Sequence, residues 1–243
     1  MSNLYIVATP IGNLEDISKR ALRILSEVDL ILCEDTRVTM RLLDHYEIKT
    51  PSLSYHQHSK IQKVDYIINL LKQGKNIALV SDAGTPGISD PGGKLIETII
   101  HTYAPNQPWQ NSGVGSYEVV KIIPVPGPSA LLAAASVSGF PMDKFLFLGF
   151  PPQKKKRKKF FDEIISSKYP VIFYESPYRI IKSLEELKSV AESSNIKLEL
   201  VICRELTKKF ETIYRGNIEK TIGDVKNNKI KGEFVVVIKK YEK

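Results

Sequence analysis

Two aspartates, Asp82 and Asp90, lie in a stretch that cannot form regular structure, because Ser81 to Gly92 reads SDAGTPGISDPG. Gly84, Pro86, Gly87 and Pro91 break both helix and strand, so the chain must turn here. The stretch follows the β-prone Asn76 to Val80 and precedes a helical pattern from Lys94 to His101. In an open α/β sheet, a turn at the carboxyl end of a strand is where ligands are received. No cation precedes Lys94, which argues against a phosphate cradle and for a ligand with cationic centres and hydroxyls. The competing reading is a tight surface turn whose acids are incidental.

Other polar clusters also follow apolar runs. Glu34-Asp35-Thr36-Arg37 ends the strand pattern Leu30 to Cys33, so Glu34, Asp35 and Arg37 can face the same crevice as Asp82. Equally, Asp35 or Thr36 can cap a helix that starts there. Phe173 to Arg179 (FYESPYR), with Tyr174 and Glu175, and Arg204 to Lys208 (RELTK) repeat the pattern in the second half, which suggests a shared rim. His56 and His58 lack a third ligand, which favours a substrate-facing loop over a metal site. The run Lys154, Lys155, Lys156, Arg157, Lys158 and Lys159 opens a helix pattern against the helix dipole. A bound phosphate backbone would offset that cost, and a solvated face is the alternative.

Missing motifs narrow the classes. The loop from Ala8 to Leu14 holds one Gly and one Pro where a dinucleotide fingerprint needs several glycines. There is no Gly-x-Ser-x-Gly elbow, zinc cluster or Walker lysine, so hydrolase and NTPase readings lose support. Cys33 and Cys203 have no metal-ligand spacing and fit two buried thiols in a reducing cytosol. No apolar run approaches the ~20 residues of a membrane span, and the start lacks a secretion signal. The formal charge of +8 favours a polyanionic partner.

The elements that must position these residues alternate between strand and helix. In the first half, strands are expected at Leu4 to Ala8, Leu30 to Cys33, Ser52 to Tyr55, Asn76 to Val80 and Lys121 to Val125. Helices are expected over Ile17 to Val28, Val38 to Tyr46, Ile61 to Leu71 and Lys94 to His101, the pattern of a parallel sheet. Thr102 to Ser116, around Trp109, reads as a loop or insertion. Past the turn at Pro126 to Ser129, an Ala-rich helix runs to Ser138. Strands then fall at Phe145 to Leu148, Val171 to Glu175, Leu198 to Arg204, Thr212 to Arg215 and Glu233 to Lys239. Helices cover Lys155 to Ser166, Pro177 to Ser193 and Ile218 to Lys226. The later strands leave little room for crossovers, so the second sheet is expected to be mixed. The expected fold is thus α/β with two α/β domains, residues 1–122 with a mainly parallel sheet and residues 123–243 with a mixed one.

Eight segments in order across the chain carry a resemblance: VATPIGNLEDIS (7–18), CEDTR (33–37), SDAGTPGISDPG, VPGPSA (125–130), FLGF (147–150), FYESPYR, CRELTK (203–208) and KGEFVVVI (231–238). Together they resemble the tetrapyrrole methylase superfamily, and more narrowly its branch of small-subunit ribosomal RNA methyltransferases. The resemblance implies S-adenosylmethionine held between two α/β domains, a homodimer, and a cytoplasmic protein acting on 16S rRNA or the small ribosomal subunit. The implied reaction is methylation of the ribose 2′-hydroxyl of a decoding-centre cytidine. By position, Pro10, Asp82, Gly84, Thr85, Pro86, Ile88, Ser129, Ala130 and Tyr174 would line the cofactor site, with Leu206, Gly232 and Glu233 as further candidates. Two departures are a longer insertion near residues 103–119 and the lack of a C-terminal extension common in this branch.

A sulfonium donor arrives activated, so the enzyme must align it with the hydroxyl at ~3 Å and supply a base. Asp35, Asp90 and Glu175 are candidate bases, with Arg37 orienting phosphate or ribose. If Asp90 is the base, Asp90→Asn cuts methyl transfer far more than cofactor binding; equal losses make it structural or cofactor-binding. Two other readings stay open, C-methylation of a tetrapyrrole and a non-catalytic RNA-binding assembly factor.

Overall fold

The computed structural model describes residues 2–56, 61–90, 92–103, 120–228 and 230–241. His58, Trp109 and the segment 104–119 lie outside the described residues. The chain divides into two compact units, Met1–Ser129 and Ala130–Lys243.

The first unit alternates as its sequence pattern requires: β1 (Asn3–Val7), α1 (Lys19–Glu27), β2 (Leu30–Cys33), α2 (Thr36–His45), β3 (Ser52–Ser54), α3 (Ile61–Lys72), β4 (Ile77–Leu79), α4 (Gly92–Tyr103) and β5 (Lys121–Val125). These strands pair in parallel in the order β3-β2-β4-β1-β5. β5 pairs with β1 along its whole length, from Asn3↔Lys121 to Val7↔Val125. The first sheet therefore closes past the boundary expected at 122/123.

Side-chain alternation builds two cores. Ile31, Cys33 and Ala78 face one side, with Ala21, Ile24 and Leu25 of α1 and Leu42 and Leu43 of α2. Leu4, Leu32, Ile77 and Leu79 face the other, with Ile67 and Leu71 of α3 and Leu95 and Ile99 of α4. Ser18 starts α1 by accepting the Ala21 N–H at 3.0 Å. The chain leaves β2 outward to β3, whereas it leaves β4 the other way, past β1 to β5. The strand order thus reverses between β2 and β4, and the crevice at their carboxyl ends is the ligand position of open α/β sheets.

The second unit begins with α5 (Ala130–Ser138), followed by β6 (Leu146–Phe147), α6 (Arg157–Ser166), β7 (Val171–Glu175), α7 (Ile180–Ser193), β8 (Leu198–Arg204), β9 (Thr212–Asn217), α8 (Ile218–Lys226) and β10 (Phe234–Lys240). The sheet order is β6-β7-β10-β8-β9, with β6/β7 parallel and the other pairs antiparallel. The mixed sheet expected from its short connections is therefore present. Phe173, Leu200, Ile202, Phe234 and Val236 pack with Phe160, Phe161 and Ile164 of α6, Leu184 and Leu187 of α7, and Ile222 of α8. α5 packs against β7 and β10.

Candidate active site

The first rim is made by the loops leaving β1, β2, β4 and β5, and four polar ties join them. Thr9 and Gly84 exchange backbone hydrogen bonds of 2.9 and 3.0 Å, which brings the Pro10 loop beside the Ser81–Asp90 loop. Gly84 holds φ +83°, a left-handed conformation that a side chain would strain. The Thr9 hydroxyl donates to the Ser81 carbonyl at 3.1 Å, and the Thr85 hydroxyl to the Pro128 carbonyl at 3.0 Å. That last bond carries Ser129, the end of the first unit, to the same rim. Across the point where strand order reverses, the Asp35 N–H donates to Asp82 Oδ1 at 3.0 Å. Pro86 is buried, while Asp82 and Ile88 are exposed.

The acids of this rim differ in what occupies their oxygens. Asp35 caps α2 by accepting the Arg37 N–H at 2.8 Å, and both its oxygens pair with the Arg37 guanidinium, the closest at 2.6 Å. Arg37 holds the Asp35 carboxyl down at about 2, which makes it a weak proton acceptor. Asp90 accepts the Gly87 N–H at 2.8 Å and the Gly92 N–H at 2.8 Å, pinning the loop to the start of α4. Glu34, expected at the crevice but not among the candidate bases drawn from sequence, behaves differently. Burial, then the nearby Asp82 and Asp90 carboxylates, raise its affinity for a proton. Only its place beside Asp35 at a strand end hinted at it, since the partners that tune it lie far along the chain.

The second rim joins the end of β7, the β8–β9 turn and the approach to β10, because Phe234 pairs with both Glu175 and Arg204. The Tyr174 hydroxyl accepts the Leu131 N–H at 3.2 Å, satisfying an unpaired donor in the first turn of α5 next to Ala130. Its ring packs against Phe147 and Phe150, and burial raises its pKa. Glu205 Oε1 accepts the Glu233 N–H at 3.0 Å and the Lys208 ammonium at 2.9 Å. Lys208 also reaches Glu233 at 2.8 Å. Burial alone would raise Glu205, but Lys208 and the Glu233 N–H hold it below the ordinary value. Gly232, at φ +87°, lies so close that a Cβ there would collide with the Glu205 carboxyl. Leu206 is buried, and Glu205 and Thr207 flank it with φ values of 52° and 66°. The buried Thr207 hydroxyl has no hydrogen-bond partner among the described residues. Such a group costs ~1–3 kcal/mol, so it marks a place where a ligand's polar atom would be welcome.

Glu175 is not part of that open rim. It is 1% exposed, and its oxygens receive the Ser183 hydroxyl at 2.6 Å, the Ser176 N–H at 2.7 Å and Arg179 at 2.9 Å. A carboxylate so enclosed, with both oxygens engaged, presents no open face to a substrate proton. The structure also removes Arg157 from the basic face. Its side chain is buried against Phe161, with Nε on Glu186 at 2.7 Å, one terminal nitrogen on the Pro152 carbonyl at 2.8 Å and the other on the Ser183 hydroxyl at 2.9 Å. Lys154, Lys155, Lys156, Lys158 and Lys159 remain exposed. α6 begins at Arg157, after Lys156 at φ 70° without a side-chain cap. Among the described residues, no cluster could hold a metal ion and no helix is long and apolar enough to cross a membrane.

The profile of the family described as Tetrapyrrole (Corrin/Porphyrin) Methylases matches residues 3–221. The chain is 42% identical over 236 residues to the ribosomal RNA small subunit methyltransferase I of Halalkalibacterium halodurans, covering 97% of this chain and 75% of that protein. It is 42% identical over 238 residues to the protein of that name from Thermotoga maritima, covering 98% of each. A solved cobalt precorrin-4 methyltransferase shares the fold with a TM-score of 0.64, at 19% identity over 97% of this chain and 94% of that one. A match spanning nearly the whole sequence, with relatives this similar, shows that the chain belongs to the tetrapyrrole (corrin/porphyrin) methylase family, in its ribosomal RNA small subunit methyltransferase I branch.

Proposed function

We propose that the chain methylates small-subunit ribosomal RNA at the ribose 2′-hydroxyl of a decoding-centre cytidine, using S-adenosylmethionine. In this reading it works in the cytoplasm as a homodimer. The observation that carries the reading is 42% identity, kept over 97–98% of the chain, to proteins named ribosomal RNA small subunit methyltransferase I. When bound, the cofactor supplies a sulfonium methyl already activated for attack by oxygen. Pro10, Asp82, Gly84, Thr85, Pro86, Ile88 and Ser129 would hold it from the first rim, and Ala130, Tyr174, Leu206, Gly232 and Glu233 from the second. The residues suit such a ligand: the first rim is acidic, as a cationic centre requires, and the Thr207 hydroxyl, without a partner among the described residues, offers a further polar contact.

The remaining chemistry belongs to the chain's own groups. The rims align donor and hydroxyl, which removes most of the entropic cost of their encounter. Glu34 takes the hydroxyl proton, because burial and the neighbouring carboxylates raise its proton affinity, whereas Arg37 suppresses that of Asp35. Arg37, its side chain 85% exposed, orients a phosphate or ribose.

The test offers methyl-labelled S-adenosylmethionine with undermethylated small subunits, with free rRNA, or with a porphyrinogen. Label in a cytidine ribose is expected. Label in the pigment would mean tetrapyrrole C-methylation, and binding without transfer would mean an assembly factor; either result overturns the reading.

A further inference from the structure

Tyr178 is 95% exposed although it stands one residue from Arg179, part of the hydrogen-bonded cluster around buried Glu175. A lone exposed aromatic is ordinary on a protein surface and decides nothing by itself. What decides here is the frame that holds it. Arg179, the next residue, pairs with buried Glu175 at 2.9 Å and donates to the Pro151 carbonyl at 3.2 Å. Its backbone N–H returns to the Ser176 carbonyl at 3.1 Å, so the turn carrying Tyr178 is fixed at both sides. Glu175 takes the Ser183 hydroxyl at 2.6 Å, and Ser183 takes Arg157 at 2.9 Å. Arg157 closes the circuit on the Pro152 carbonyl at 2.8 Å. Lys154, Lys155 and Lys156 are therefore strung between two anchors, Pro152 and Arg157, that belong to the same network as the Tyr178 turn. Lys156 is held there at φ 70°, a conformation costly for a lysine.

We propose that Tyr178 and these lysines form one docking face for single-stranded RNA, the tyrosine ring stacking on an unpaired base while the ammonium groups hold adjoining phosphates. The inference rests on the rRNA reading and adds to it the part of the protein that grips the strand. A single strand offers both things this face presents partners for, a flat base face for an aromatic ring and a row of phosphates for cations, and the rRNA reading makes that strand RNA. Duplex RNA hides its bases. Glu175 and Arg157 are positioning residues here, acting through the turn and the lysine loop.

The experiment uses the full chain as Tyr178→Ala, Tyr178→Phe and a Lys154→Ala/Lys155→Ala/Lys156→Ala triple variant. Anisotropy measures binding of a labelled single-stranded oligoribonucleotide and of its duplex at several salt concentrations. Methyl transfer to undermethylated small subunits is followed in parallel. Tyr178→Ala is expected to weaken single-strand binding roughly 5- to 100-fold, the loss of one stacked base, and to raise KM for subunits more than it lowers kcat. Tyr178→Phe keeps the ring and should bind like the unaltered protein. The triple variant should flatten the salt dependence by about 2 in log–log slope. Donor affinity and Tm should not move. Unchanged RNA binding by Tyr178→Ala, in a protein that still methylates subunits, would sink the docking face and leave the rRNA reading intact. Loss of self-association without loss of RNA binding would make this face a contact between copies and overturn the proposal. If the unaltered protein neither binds RNA nor methylates it, the rRNA reading itself fails.

Discussion

Carboxylates with similar positions in sequence have different capacities once their partners are counted. Glu34 binds its proton more tightly in the folded chain than in the unfolded one, because of burial and of Asp82 and Asp90. Its stabilising contribution is therefore full below the ordinary carboxylate value of 4.5 and is lost as pH rises through the raised folded value. Glu34→Gln should accordingly raise Tm relative to the unaltered protein at about pH 7, with the gap closing at about pH 4. Transfer should fall in the same variant while donor affinity holds; a transfer rate equal to the unaltered protein's would remove Glu34 as the base. Asp90→Asn is expected to act otherwise, because its carboxylate anchors Gly87 and Gly92. Stability should drop by ~1 kcal/mol, and donor binding and transfer should fall together. Gly232→Ala combines a left-handed φ with a collision against Glu205, so urea denaturation should show a loss of at least ~2 kcal/mol. The motifs SDAGTPGISDPG and CEDTR pointed to the rim, but not to which acid is free. That depends on bonds such as Asp35 to Asp82, between residues far apart in the chain, which no local pattern encodes.

At the scale of the element, α6 separates one cation from its neighbours. Arg157→Ala removes the buried cation that Glu186 and the Ser183 hydroxyl bind and should cost about 3 kcal/mol in denaturant unfolding. Lys158→Ala, on the exposed side, should change stability by less than about 0.5 kcal/mol. Equal effects would contradict the buried network. A signal for this was present in the sequence: Arg157, Phe160, Phe161 and Ile164 follow helical spacing, which turns the arginine onto the apolar side. Read as an unbroken basic run, the segment concealed it. Strands and helices of the first unit were legible because period-2 and period-3.6 patterns alternate cleanly there. Boundaries shifted at helix ends, as at α7, where residues 177–179 form a turn and the helix begins at Ile180 and not at Pro177.

At the scale of the whole molecule, each half carries its own sheet, and the charge is unevenly shared. The acids of the first rim belong to one unit and the exposed lysine run to the other. The strand order of the second sheet also bears on how the protein is made. β10 enters between β7 and β8, so a nascent polypeptide leaves those two strands with bare edges until residues 234–240 have cleared the exit tunnel. Unpaired edges of this kind invite aggregation. A premature stop codon after Glu233 should therefore send the product to inclusion bodies, and a solubility assay on the truncated product would read this directly. The second lobe is thus obliged to fold late, and chaperone demand should peak just as synthesis reaches that last central strand.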